Sequence, residues 1–124
     1  DGCADLILNI FSPFMPAEFR RVLRPDGHLL RVVPMERHLW ELKAAVYDTP
    51  YENPPADLAA DGFTLVRQEE LRRTITLTSQ EDIQALFQMT PYYYKTGADD
   101  QRKLEAFRTL DVTTEFAVAV YAVS

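Results

Sequence analysis

A strand, a helix and a second strand follow one another within the first 33 residues, and no other feature constrains the fold of this chain as much. Leu6 to Ile10 is an apolar run. Pro13 and Pro16 behind it stop any regular element from continuing, because proline lacks the amide donor that a ladder or a helix interior needs. Ala17 to Leu23 then carries Phe19, Val22 and Leu23 at helical spacing. Arg24-Pro25-Asp26-Gly27 ends that helix: Pro25 drives the preceding residue out of helical geometry, and Gly27 supplies permissive turn geometry. His28 to Val33 is a second apolar run, β-branched at its end. A strand–helix–strand crossover lays its two strands parallel. Continuous rather than alternating apolar runs point to strands buried on both faces.

The rest of the chain adds helices and a different kind of strand. Met35 to Tyr47 places Met35, Leu39, Leu42 and Val46 on one stripe, with Glu36, Arg37, Glu41 and Lys43 elsewhere, which predicts an amphipathic helix on a sheet. Asp48 to Asp57 holds three prolines and no period, and reads as a loop. Within Gly62 to Leu77, Leu71, Arg73, Ile75 and Leu77 alternate, and the charges there suit an edge strand. Thr78 and Glu81 form a capping box for a helix through Gln88. The aromatic loop Met89 to Thr96 follows, then a helix capped by Asp99 or Asp100 and bearing Leu104, Phe107 and Leu110. Val112 to Val123 closes the chain as a long strand. The expected fold is α/β, with parallel strands first and an antiparallel pair formed by the last two.

At 124 residues the chain suits one domain, taken here as 1–124. Thirteen basic against 19 acidic residues leave a net charge of −6, so attraction to a phosphate backbone requires a local patch. No apolar run reaches the roughly 18 to 20 residues of a membrane helix. Cys3 alone excludes an internal disulfide and a multi-cysteine zinc site within this sequence, and is expected to be a buried small hydrophobe. Asp1-Gly2-Cys3-Ala4-Asp5 has neither the basic segment nor the cleavage site of a signal peptide, so a cytoplasmic location is the expectation.

Ala4-Asp5-Leu6-Ile7-Leu8, the helix ending Val22-Leu23-Arg24-Pro25-Asp26-Gly27, and the strand His28 to Val33 together resemble the C-terminal half of a class I S-adenosylmethionine-dependent methyltransferase, with its Rossmann-like sheet. A narrower likeness lies further on. Pro34 with Arg37-His38-Leu39-x-Glu41-Leu42-Lys43, then Gly62-Phe63-Thr64-Leu65, then Met89-Thr90-Pro91 and its aromatics, occur in one order. That order is similar to the large-subunit ribosomal RNA guanine-N1 methyltransferases, which include relatives conferring macrolide resistance. The resemblance implies methyl transfer from S-adenosylmethionine to guanine N1 of rRNA. The sequence departs from that family where an N-terminal four-cysteine zinc module, a glycine-rich cofactor loop and an acidic ribose-gripping residue would stand. A partial methyltransferase domain, inactive alone and with zinc confined to the absent module, is therefore expected.

By the same resemblance His38 matches the family histidine that contacts S-adenosylmethionine; the plainer reading is a surface histidine. Asn9, Phe11 and Ser12 follow the first strand, where nucleic-acid methyltransferases hold the target base: Asn9 or Ser12 would bond its edge and Phe11 would stack on it. The alternative is a strand cap with core phenylalanines. Tyr92, Tyr93 and Tyr94 beside Lys95 put aromatics next to a cation, a pattern that stacks unpaired bases near a phosphate, unless the loop simply packs on the sheet. No residue is assigned as a catalytic base, and no metal ligands are assigned.

Two other functions share these features. A class I methyltransferase of another substrate would have the same Leu-Arg-Pro-Asp-Gly turn, and a non-catalytic remnant acting as an interaction module would lack the glycine loop. In the class I topology the missing first strand neighbours the one at Leu6 to Ile10. That run is therefore expected as an exposed apolar edge that pairs chains into a homodimer or higher oligomer.

Overall fold

A computed structural model describes residues 1–124. The chain order is β1 (Ala4–Ile10), α1 (Pro16–Val22), β2 (Leu23–Pro34), α2 (Trp40–Val46), β3 (Phe63–Leu77), α3 (Gln80–Gln88), α4 (Tyr92–Lys95), α5 (Ala98–Arg102), a 3-10 turn (Lys103–Ala106) and β4 (Leu110–Val123). The strands form one sheet in the order β1-β2-β4-β3. β1 and β2 run parallel, as the crossover requires. β4 pairs antiparallel with β2. Beside β3 its partners fall in number as those of β3 rise: Thr64 meets Ser124, the Arg73 carbonyl meets Thr114, and Thr76 meets Asp111. The last two strands are thus the expected antiparallel pair. No helix is long and apolar enough to cross a membrane.

The chain divides into two compact units, 1–36 with 54–71 and 116–124, and 37–53 with 72–115. In the first, Leu23, Leu29, Ala119 and Tyr121 form a core on one sheet face, with Ile7, Phe14 and Phe19 packed against it. The Tyr121 hydroxyl donates to the Leu58 carbonyl at 2.6 Å, so the one polar atom of that side chain is satisfied. Side chains alternate along a strand, and the other face of β1 is bare: Leu6, Leu8 and Ile10 are 54%, 59% and 50% exposed. The reading of both-sided burial is therefore corrected for β1. It is the sheet's edge strand, with Ile7 turned to the core on the opposite face. Cys3 is also exposed rather than buried.

The expected turn at Arg24–Gly27 is a bulge inside β2. Between the paired ends Ala4–Leu23 and Leu6–His28, Asp5 of β1 alone stands against Arg24, Pro25, Asp26 and Gly27 of β2. Gly27 is buried there, and a Cβ on it would stand 3.0 Å from the Arg24 carbonyl oxygen and 3.2 Å from that of Asp5. Close backbone approach is what this glycine permits.

In the second unit, Leu42, Val46, Ile83, Phe87, Leu104 and Val112 form a core with Leu39 and Tyr92. α3 starts one residue later than expected, with the Ser79 hydroxyl accepting from the Asp82 amide at 3.1 Å. The residue before α5 is Gly97, not an aspartate, so Asp99 and Asp100 lie in its first turn. Phe87→Ala is expected to cost about 3–5 kcal/mol of stability, and Leu8→Ala less than about 1 kcal/mol; urea unfolding followed by circular dichroism measures both.

Candidate functional site

β2 ends at Pro34, opposite Phe116 of β4. Further back along β4, the main-chain groups of Thr113 and Glu115 still need partners, and the segment 37–41 supplies them. The Leu39 amide donates to the Thr113 carbonyl at 2.7 Å. The Thr113 amide donates to Glu41 Oε1 at 2.9 Å, and its hydroxyl to Oε2 at 2.7 Å. The Glu115 amide donates to His38 Nδ1 at 3.1 Å. This is why α2 starts at Trp40 rather than Met35. Leu39 is buried with φ 56°, and its amide is committed to β4 instead of to a helical turn. His38 stands in the turn before the helix, not within its first turn.

Several groups fix His38. It is half-buried, and burial pushes its pKa down; the Glu115 charge opposes that shift and the Lys43 charge adds to it. Glu115 is itself buried, its Oε1 accepting from the Arg37 amide at 3.2 Å and its Oε2 lying 3.5 Å from Arg72 Nε. Arg37 stacks over Trp40 at 4.6 Å and pairs with Glu52 at 3.7 Å. Neither Arg72 nor Glu115 stood out in the sequence, and Glu41 did so only as one member of the quoted motif, because their partners lie more than forty residues away.

Lys43 was placed on the polar side of its helix, yet it is 1% exposed. Its ammonium donates to Asn53 Oδ1 at 2.6 Å and to the Tyr51 carbonyl at 3.2 Å, and faces the rings of Tyr51 and Tyr92 at 4.7 and 5.2 Å. Burial lowers its pKa, with a further push from the charge of Lys95. The three tyrosines consequently differ. Tyr92 is buried, and burial, helped by Tyr51 and Tyr47, raises its phenol pKa to about 12. Tyr93 sits edge-on to Phe87 at 6.0 Å and to Tyr94 at 5.1 Å. Tyr94 is 84% exposed. Lys95 is exposed as well, and the neighbouring carboxylates of Asp99 and Asp100 are taken by Arg102 and Lys103.

In the other unit, Asn9 is buried at the end of β1. Its amide nitrogen donates to Ser12 Oγ at 2.8 Å and to the Pro13 carbonyl at 2.9 Å, so Asn9 shapes the loop that carries Phe11 and Ser12. Phe11 and Ser12 are exposed. Phe11 has φ 48°, a left-handed conformation that costs a bulky residue about 1–3 kcal/mol, and its ring meets Phe116 edge-on at 6.1 Å.

The fold has counterparts among solved structures. It matches a solved methyltransferase, provisionally assigned as such, from Bacillus halodurans C-125, with a TM-score of 0.53 at 14% identity over 98% of this chain and 64% of that one. It also matches a Deinococcus radiodurans R1 protein of unknown function, with a TM-score of 0.50 at 20% identity over 97% of this chain and 50% of that one. Sequence comparison finds nearer relatives. The chain is 34% identical over 121 residues to YxjB of Bacillus subtilis strain 168, provisionally named a 23S rRNA (guanine-N(1)-)-methyltransferase, covering 94% of the chain and 43% of YxjB. It is 43% identical over 81 residues to the 23S rRNA (guanine(748)-N(1))-methyltransferase of Streptomyces fradiae, covering 62% of the chain and 29% of that protein. The chain is therefore related by sequence to the proteins named 23S rRNA (guanine-N1)-methyltransferases, and spans less than half the length of the curated relatives it matches. No family model matches it.

Glu41 gives this site a measurable acid sensitivity. Burial raises its pKa, but the hydrogen bonds from the Thr113 amide and hydroxyl outweigh that and the net shift is downward. A carboxyl with a folded pKa below its unfolded one stabilises the fold above about pH 4.3 and loses that contribution as pH falls through the folded value. Glu41→Gln is expected to cost about 1–3 kcal/mol at pH 7 and to flatten the fall in stability below pH 5, read by urea unfolding across pH.

Proposed function

We propose that this chain is the C-terminal half of an rRNA methyltransferase that moves a methyl group from S-adenosylmethionine to guanine N1 of large-subunit rRNA, working in the cytoplasm. One observation carries the reading: 34% identity to YxjB across 94% of the chain. Bound S-adenosylmethionine supplies an electrophilic methyl group on a sulfonium. The chain's own residues supply position, which accounts for a large part of the rate in displacements of this kind. His38, neutral and held from behind by β4, is the proposed cofactor contact, and its environment fits a polar ligand group. Tyr93 and Tyr94 are the proposed stacking surface for an extruded base, with Lys95 for a phosphate; Tyr92 is the buried anchor beneath them. Phe11 and Ser12 are proposed for the guanine, with Asn9 setting their loop. Zinc, in this reading, belongs to the part of the larger protein that the chain does not span.

A chimera in which the chain replaces its matching stretch of YxjB tests this. Transfer of labelled methyl to 23S rRNA is expected, with reverse transcriptase arrested at the product because an N1-methyl group blocks Watson–Crick pairing. His38→Ala should abolish cofactor binding, and Tyr94→Ala should weaken rRNA binding about tenfold or more. A folded chimera that methylates a protein or small molecule, or nothing, counts against the proposal.

The bare face of β1 supports a second proposal, a homodimer formed through Leu6–Ile10. Leu8 and Ile10 stand in register with Leu30 and Val32 of β2, and these with Val120 and Val118 of β4, but the exposed part of these apolar rows is the β1 end: Val32 is buried and Leu30, Val118 and Val120 are partly buried. Light scattering of the chain should give a dimer or larger, and Leu8→Lys should shift it to monomer. A monomeric unaltered chain would sink the idea.

A further inference from the structure

The bond between β4 and His38 carries information about the histidine's proton. A main-chain amide can only donate. The ring nitrogen that accepts from it must therefore offer a lone pair, which in a neutral imidazole places the proton on the other nitrogen. We propose that the Glu115 amide holds His38 as its Nε2–H tautomer, so that the side chain meets its ligand as a neutral hydrogen-bond donor, with Glu115 and Arg72 as the positioning residues.

The surroundings reinforce this from three directions. The Arg37 amide, on the residue next to His38, donates to Glu115 Oε1, and the Arg72 guanidinium stands against Oε2. The carboxylate therefore ties the turn that carries His38 to the residue whose amide His38 accepts. The Leu39 amide, on the other side of His38, is bonded to the Thr113 carbonyl. A main-chain bond on either side fixes where the ring stands. Burial opposes protonation, which would set an Nδ1–H against the Glu115 N–H. The ligand group such a residue takes is an acceptor: a hydroxyl, carbonyl or carboxylate oxygen, or a ring nitrogen with a lone pair. Under the cofactor reading above, on which the identity of the ligand alone rests, that acceptor belongs to S-adenosylmethionine.

Nitrogen-15 NMR of this chain labelled at histidine tests the tautomer without any ligand. There are two histidines, and exposed His28 is the internal reference. At pH 7 the expected pattern for His38 is a protonated Nε2 and an unprotonated Nδ1. A proton on Nδ1, a cationic ring, or tautomers averaged as freely as those of His28 overturns the proposal. Glu115→Ala should loosen the turn and bring His38 towards averaging while the chain stays folded by circular dichroism, and Glu115→Gln, which keeps an acceptor for the Arg37 amide, should restore the single tautomer. No change in Glu115→Ala removes the positioning role. The ligand arm uses S-adenosylhomocysteine with the YxjB chimera. His38→Gln, which keeps a donor, should bind about tenfold more tightly than His38→Glu, which offers none at neutral pH; equal affinities overturn the donor role. If the unaltered chimera binds no S-adenosylhomocysteine, the cofactor reading fails, and the NMR result still decides the tautomer.

Discussion

Strand β4 is longer than the β2 partner beside it, and the way its remaining edge is satisfied organises the second unit. A buried main-chain amide without a partner costs about as much as a lost hydrogen bond. Where β2 has ended, Glu41 takes the Thr113 amide, His38 takes that of Glu115, and Leu39 returns an amide to the Thr113 carbonyl. One turn of chain thus does the work of a missing strand. It delays α2, forces Leu39 into a left-handed conformation, and fixes the one histidine proposed to hold a ligand. The site and the fold share the same bonds.

Lys43 connects this turn's helix to the aromatic segment by a different device. Its charge is buried without a carboxylate, held by an amide oxygen, a main-chain carbonyl and two tyrosine faces. Cations are attracted to aromatic faces, more strongly when water is excluded. Tyr92 is drawn inward as part of that cage, and because consecutive residues of a short helix point in different directions, Tyr94 is turned out to solvent. The division of labour among three identical neighbouring side chains follows from one lysine fifty residues earlier. Electrostatics follow a similar economy: with a net charge of −6, most cations are matched by nearby carboxylates, and Lys95 stands outside those pairs beside the exposed ring.

Relatives identify a line of descent that geometry alone would not. A mixed sheet of four strands is compatible with many chemistries. The matched sequences carry the names of rRNA methyltransferases, and the solved structures share the fold at identities that speak to architecture only.

What the sequence determined by itself was most of the elements and their order; the expected aromatic loop holds the short helix α4, and the helix expected to reach Leu110 ends at Arg102, with Leu110 opening β4. Apolar runs, prolines and helical spacing are local signals, and they placed the crossover, the parallel pair and the terminal antiparallel pair within a few residues. The aromatic loop and His38 were likewise visible, the latter through its neighbouring motif. Tertiary structure decided everything that depends on a distant partner. It left one face of β1 bare, turned Arg24–Gly27 into a bulge because Gly27 admits the Asp5 carbonyl, and moved the start of α2 by capturing the Leu39 amide. It buried Lys43 and Tyr92 and left Tyr94 out. It also gave Glu41, Arg72 and Glu115 their roles, which lie in contacts more than forty residues apart: a bond of that reach leaves no periodicity in the chain that makes it.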